Sequence, residues 1–226
     1  MNKASAQRAV QLTLDLPFEE RLGVDDFIVS EANQFALSFL EDWPDWPAQV
    51  AILIGPTGSG KTHLGNVWAD FAGAQRHRAK NLTLEIIPEW LETGCLLLED
   101  TGPDVNDEAA LFHLINTVRN SDMFLLITAE EPPQHWNIVV PDLASRLRAA
   151  IPVEIGAPDE VLLRQVFAKQ FYDRQILVEP GVIDYLVSRI ERSLNAVRDV
   201  VDALDRAAFS RGRGITKRLA ADVLGF

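Results

Sequence analysis

The register in which apolar and polar positions alternate changes several times along the chain, and each change marks an element. Residues 1–10 are small and polar. Gln11-Leu12-Thr13-Leu14-Asp15-Leu16-Pro17-Phe18 then alternates apolar with polar until a proline stops any helix, so residues 1–22 read as an extended tail. Between Glu31 and Leu40, Phe35, Ala36, Phe39 and Leu40 fall at helical spacing, and Trp43-Pro44-Asp45-Trp46-Pro47 ends that helix. Val50 to Ile54 is an unbroken apolar run, predicting a strand buried on both faces. It leads through a glycine-rich turn into a helical stretch carrying Val67, Trp68 and Phe71. Further strands are predicted at Cys95–Leu98, Met123–Thr128 and Pro152–Ile155, with a helix near Asp107–Val118, while residues 74–92 show no clear period.

After Pro158 the pattern is helical only. Pro158, Asp159 and Glu160 open a helix with Val166, Phe167 and Phe171, and Pro180 opens one with Ile183, Leu186, Val187 and Ile190. A third, capped at Ser193 or Asn195, carries Val197, Val200, Val201, Leu204 and Ala208, and a last begins near Thr216. This predicts an α/β domain over residues 23–157 and a small helical domain over 158–226.

Composition narrows the function classes. The chain has 226 residues, 47% hydrophobic and 24% charged, which suits one sizeable core with a smaller satellite and excludes a disordered chain. Its net charge of −12 is opposite to that of a duplex-DNA binder, so no direct specific DNA contact is expected. The single cysteine, Cys95, lies in an apolar strand and forms no internal disulfide. With no apolar run long enough to cross a membrane and a polar N-terminus, the chain reads as soluble and cytoplasmic. The four histidines lack ligand spacing, and the five tryptophans suit core or hinge packing.

The glycine-rich turn carries the chemistry. Gly55-Pro56-Thr57-Gly58-Ser59-Gly60-Lys61-Thr62 fits the phosphate-binding P-loop in full. Its glycines let consecutive N–H groups converge on phosphate oxygens, Lys61 reaches the β- and γ-phosphates, and Thr62 offers a hydroxyl to Mg²⁺ at a helix N-terminus. Leu96-Leu97-Leu98-Glu99-Asp100 is an apolar strand ending in two carboxylates, a metal-side acid and a water-activating acid. Thr128, at the end of a third strand, is placed to sense the γ-phosphate or orient water. Arg146 and Arg148 precede the last α/β strand, and Arg198 lies beside the apolar stripe of the third lid helix.

Taken together, GPTGSGKTHL (55–64), Asp25-Asp26-Phe27-Ile28-Val29 with Asn33-Gln34-Phe35, TAEEPP (128–133), SRL (145–147) and NAVRDVVDAL (195–204) resemble the DnaA/Hda family of AAA+ proteins over about residues 25–226. The resemblance implies a five-stranded parallel sheet with helices on both faces and a C-terminal helical lid. It also implies ADP or ATP with Mg²⁺ as ligand. Position by position it makes Lys61 and Thr62 Walker A, Glu99 and Asp100 Walker B, and Thr128 with nearby Glu130 the sensor 1 segment. Arg146 becomes the arginine finger and Arg198 the sensor 2 arginine, while Phe27, Ile28 and Val29 hold adenine and His63 adjoins the loop. Glu99 departs from the aspartate usual first at Walker B, which affects Mg²⁺ geometry and intrinsic turnover. The chain reaches Phe226 without the basic helix-turn-helix domain of DnaA itself, which is expected of the branch that regulates DnaA inactivation. Gln11, Leu12, Leu14, Leu16 and Phe18 resemble the peptide by which that branch binds the β sliding clamp of DNA polymerase III. A regulator stimulating hydrolysis of DnaA-bound ATP is therefore expected, with assembly into homo-oligomers left open. A helicase-loader or transposition-helper ATPase acting on single-stranded DNA, and a small-molecule kinase, are the alternatives.

Overall fold

A computed structural model of the protein describes residues 26–103, 105 and 107–225. Within it, β1 (Val50–Ile54), β2 (Gln75–Arg78), β3 (Cys95–Thr101), β4 (Phe124–Ala129) and β5 (Ile151–Glu154) form one sheet in the order β2-β3-β4-β1-β5. Every pairing is parallel, with Val50 opposite Leu125, Ala51 opposite Ile151, Cys95 opposite Phe124 and Gln75 opposite Leu96. Insertion of β4 between β1 and β3 brings the ends of β1, β3 and β4 side by side. Ligands of open α/β sheets bind at such strand ends.

The continuous apolar runs of β1, β3 and β4 are explained by burial on both faces. Ile52, Leu96, Leu98, Leu125 and Ile127 pack with α3 (Ile87–Trp90), α4 (Glu108–Arg119) and α5 (Pro141–Arg148). Ala51, Leu53, Leu97, Leu126 and Val153 pack with α1 (Gln34–Glu41) and α2 (Lys61–Ala72) on the other face. In α1 only Ala36 and Leu40 are buried, whereas Phe35 stays 67% exposed, so the core-facing stripe is narrower than the apolar spacing predicts. Trp46 stacks between Phe39 and Trp68, at ring-centroid distances of 5.0 and 5.3 Å.

The unassigned stretch 74–92 contains β2, a 3₁₀ turn at Ala79–Asn81 and α3. Gln75-Arg76-His77-Arg78 is an edge strand with one neighbour and no apolar alternation. It is held by backbone pairing to β3 and by His77 stacked on Trp90, centroids 4.1 Å apart.

The lid is a bundle of α6 (Glu160–Asp173), α7 (Pro180–Val187), α8 (Leu194–Arg211) and α9 (Lys217–Leu224) around Leu163, Phe167, Phe171, Leu186, Val197, Val201 and Leu204. Asp159, Ser193 and Thr216 accept from the amides of Leu162, Ala196 and Leu219 at their helix starts, and Pro180 sits at the first position of α7. Each such cap is worth about 1 kcal/mol. Among the described residues no helix is long and apolar enough to cross a membrane.

Candidate functional site

A cleft of about 960 Å³ lies between the strand ends and the lid, within the range of small-ligand sites. Its floor is the P-loop. Gly60, at φ +102°, caps α2 and turns the chain so that Lys61 and Thr62 begin the helix facing the cleft. The Lys61 ammonium donates to the carbonyls of Gly55 at 2.7 Å and Pro56 at 3.0 Å. Burial pushes its pKa down, opposed by the charges of Glu130 and Asp100. Thr57 donates from its hydroxyl to Glu130 at 2.6 Å, tying the loop to the end of β4.

In a regular strand Glu99 and Asp100 would point to opposite faces. Here β3 carries one extra residue between the Leu98–Ile127 and Thr101–Ala129 pairs, with Asp100 left-handed at φ +57°. With this bulge Asp100 reaches the cleft lining, whereas Glu99 stays outside that lining. Glu99 accepts from the Thr62 hydroxyl, and its pKa is raised by burial and by neighbouring Asp100. Asp100 lines the cleft, its amide donates to the buried Thr128 hydroxyl at 3.1 Å, and its carboxylate stands 3.8 Å from Arg78.

These residues fit a magnesium nucleotide. The loop supplies a cation, the Thr62–Glu99 pair supplies two hard oxygen donors of the kind Mg²⁺ takes, and Ser59 has a buried hydroxyl without a hydrogen-bond partner.

Phe27 and Ile28 line the far wall, with Phe27 edge-on to His63 at 5.2 Å. Val29 is not brought to the site: it is 51% exposed and outside the cleft lining. The cause is local, because Asn33 donates to the Ile28 carbonyl at 2.9 Å and accepts from the Ser30 amide at 2.8 Å, turning the chain away after Ile28. Gly55, Pro56 and Ser59 support the loop from outside the cleft lining.

The lid closes the site from above. The Leu194 amide donates to the Gly58 carbonyl at 2.8 Å, and Arg198, one turn further along α8, lines the same cleft as Lys61. Sequence reasoning missed the α6 wall. Leu162, Val166, Lys169, Gln170 and Asp173 form one helical face toward the cleft, offset from the Leu163–Phe167–Phe171 face that fills the lid core. That second stripe was the available signal. Lys169 also bridges Asp26 at 2.7 Å and Asp173 at 2.8 Å.

Arg146 is elsewhere. It lines a separate cleft of about 240 Å³ with Pro47, Gln49, Val50 and Arg119, at the start of β1, whereas the P-loop follows the end of that strand. Five strand residues put roughly 16 Å between the two ends. Gln11, Leu12, Leu14, Leu16 and Phe18 lie outside the described residues.

No family model matches the chain. Among curated relatives, the chromosomal replication initiator DnaA of Cutibacterium acnes is 23% identical over 207 residues, covering 80% of this chain and 41% of that protein. DnaA of Campylobacter jejuni is 23% identical over 225 residues, covering 88% of this chain and 51% of that protein. The chain thus spans about half or less of the length of these relatives. Domain III of Thermotoga maritima DnaA superimposes with a TM-score of 0.79 at 17% identity, over 93% of this chain and 98% of that one. AMPPCP-bound DnaA from Aquifex aeolicus gives 0.69 at 20% identity, over 82% and 65%. The Thermotoga maritima RuvB branch-migration motor gives 0.73 at 16% identity, over 91% and 72%. The chain therefore has the α/β AAA+ fold and is similar, at low identity, to part of DnaA.

Proposed function

We propose that the protein is a nucleotide-dependent regulator of replication initiation, of the Hda type, that binds the β sliding clamp and stimulates hydrolysis of ATP held by DnaA. The observation that supports this reading is the separation of two arginines. Arg198 shares a cleft with Lys61, whereas Arg146 stands at the opposite end of β1 and is out of reach of its own P-loop. A guanidinium so placed serves a nucleotide on another chain, where it stabilises charge on the transferring phosphoryl group, an effect worth about 10³–10⁵ in rate.

In the chain's own cleft, the loop amides and Lys61 would hold the phosphates of ADP or ATP, and Thr62 and Glu99 would hold Mg²⁺. Phe27, Ile28 and His63 enclose the base, and Arg198 reaches the phosphates from the lid. Asp100 and Thr128 stand where attacking water is oriented, but Asp100 is one methylene shorter than a glutamate and is drawn toward Arg78. Turnover by the chain alone is accordingly slow. Mg²⁺ held by Thr62 and Glu99 would supply neutralisation of phosphate charge.

The decisive experiment measures hydrolysis of DnaA-bound ATP with loaded clamp and DNA present. Arg146→Ala is expected to lower the stimulated rate by at least about a hundredfold while clamp and nucleotide binding persist. Stimulation equal to wild type would overturn the in-trans role. Multiple turnovers per second by the wild-type chain alone would favour a self-contained ATPase instead.

A further inference from the structure

The small cleft that holds Arg146 holds a second guanidinium. Arg119 is the last residue of α4, Arg146 lies in the last turn of α5, and both line the same 240 Å³ recess with Pro47, Gln49 and Val50. No acidic residue lines it, in a chain whose net charge is −12. Several other arginines are matched by acids, as Arg76 is with Asp70, Arg164 with Glu160 and Asp184, Arg174 with Asp202, and Arg211 with Asp222. Among the described residues neither Arg119 nor Arg146 has an ion pair or side-chain hydrogen bond. Two cationic side chains on one recess with no acid in its lining give it a local positive potential that attracts an anion.

The recess is also rigidly framed. Leu114, Val118, Leu143 and Leu147 lock α4 against α5 in the main core. Gln49 donates from its side chain to the Ser121 carbonyl at 3.2 Å, and its own carbonyl accepts from the Leu125 amide at 2.8 Å, fixing the lead-in to β1 beside the end of α4. Guanidinium groups held on helix ends present forks suited to phosphate oxygens. The recess they line, about 240 Å³, has room for several water molecules.

We propose that Arg119 and Arg146 together form a receptor for the terminal phosphates of a nucleotide carried by a neighbouring AAA+ chain, Arg119 being the second phosphate-contacting arginine of that site. The identity of the neighbour rests on the in-trans reading of Arg146; the two-arginine site does not.

Sodium tripolyphosphate is the probe, titrated into ¹⁵N-labelled full chain carrying Lys61→Ala so that the P-loop does not compete, with the arginine side-chain Nε–H resonances as readout. Both Arg119 and Arg146 signals are expected to shift together and to saturate. Arg119→Ala should weaken the response at Arg146 about tenfold, with Arg119→Lys intermediate, while thermal unfolding stays that of the parent. An unchanged Arg146 titration in Arg119→Ala overturns the proposal. A single-stranded oligonucleotide that shifts the same signals at lower concentration than tripolyphosphate also overturns it, in favour of a nucleic-acid backbone. In the DnaA hydrolysis assay, loss in both single variants supports it, and loss in Arg146→Ala alone removes Arg119 from the site. Weakened tripolyphosphate binding in both variants with undiminished hydrolysis supports the anion site and overturns the in-trans function instead.

Discussion

The backbone amide of Leu194 donates to the carbonyl of Gly58 at 2.8 Å, fastening the first turn of α8 to the tip of the P-loop. Gly58 is left-handed at φ +71°, and a Cβ there would lie 2.0 Å from the Ser193 hydroxyl oxygen. One residue therefore sets both the shape of the phosphate loop and the seat of the lid.

Gly58→Ala is expected to lose both. The left-handed backbone alone costs about 1–2 kcal/mol for a residue with a Cβ, and the clash with Ser193 pushes α8 off the loop. Calorimetric titration with ADP should show affinity lowered by at least about tenfold. Differential scanning calorimetry should show the lid unfolding at lower temperature than in wild type.

Lys169 tests the second fastening. Its ammonium joins Asp26, immediately before Phe27, to Asp173 on α6, and these partners raise its pKa. The bridge is partly exposed, so its worth is about 1 kcal/mol or less. Lys169→Met should weaken adenine nucleotide binding by no more than about fivefold and leave the fold intact. The loss should shrink with added salt in wild type, which titrations at two ionic strengths would reveal.

The pH dependence of stability should include His77. Burial against Trp90 lowers its pKa from 6.5, with Glu89 opposing the shift. A histidine with a depressed folded pKa binds fewer protons folded than unfolded between the two values. Stability therefore rises with pH through that window and is complete above about 6.5. His77→Phe keeps the ring stack and removes the titration, so its melting temperature should fall less than that of wild type between neutral pH and about pH 5.

For the N-terminal segment, replacing Gln11 and Leu12 by alanine should abolish co-migration with the β clamp in gel filtration. Nucleotide affinity and thermal stability should match wild type, because neither residue is among the cleft lining or core residues described above. Retained co-migration would remove this peptide as the clamp ligand.

The sequence alone determined whatever depends on contiguous residues. Five to eight neighbouring positions specify a P-loop, so Gly55 to Thr62 was legible, and so were strands buried on both faces, where every position must be apolar. Asp159, Ser193 and Thr216 were legible as helix starts because a cap acts within one turn. The edge strand β2 was not, since an edge needs only backbone pairing and imposes no apolar pattern on Gln75 to Arg78. The tertiary structure alone decided that a bulge sets Asp100 on the cleft and Glu99 on Thr62, and that Asn33 turns Val29 out of the cleft. It also decided that one face of α6 lines the site and that Arg119 and Arg146, from two helices, line one recess. Each of these depends on groups distant along the chain, whose approach is set by how sheet, helices and lid pack, which local periodicity does not encode.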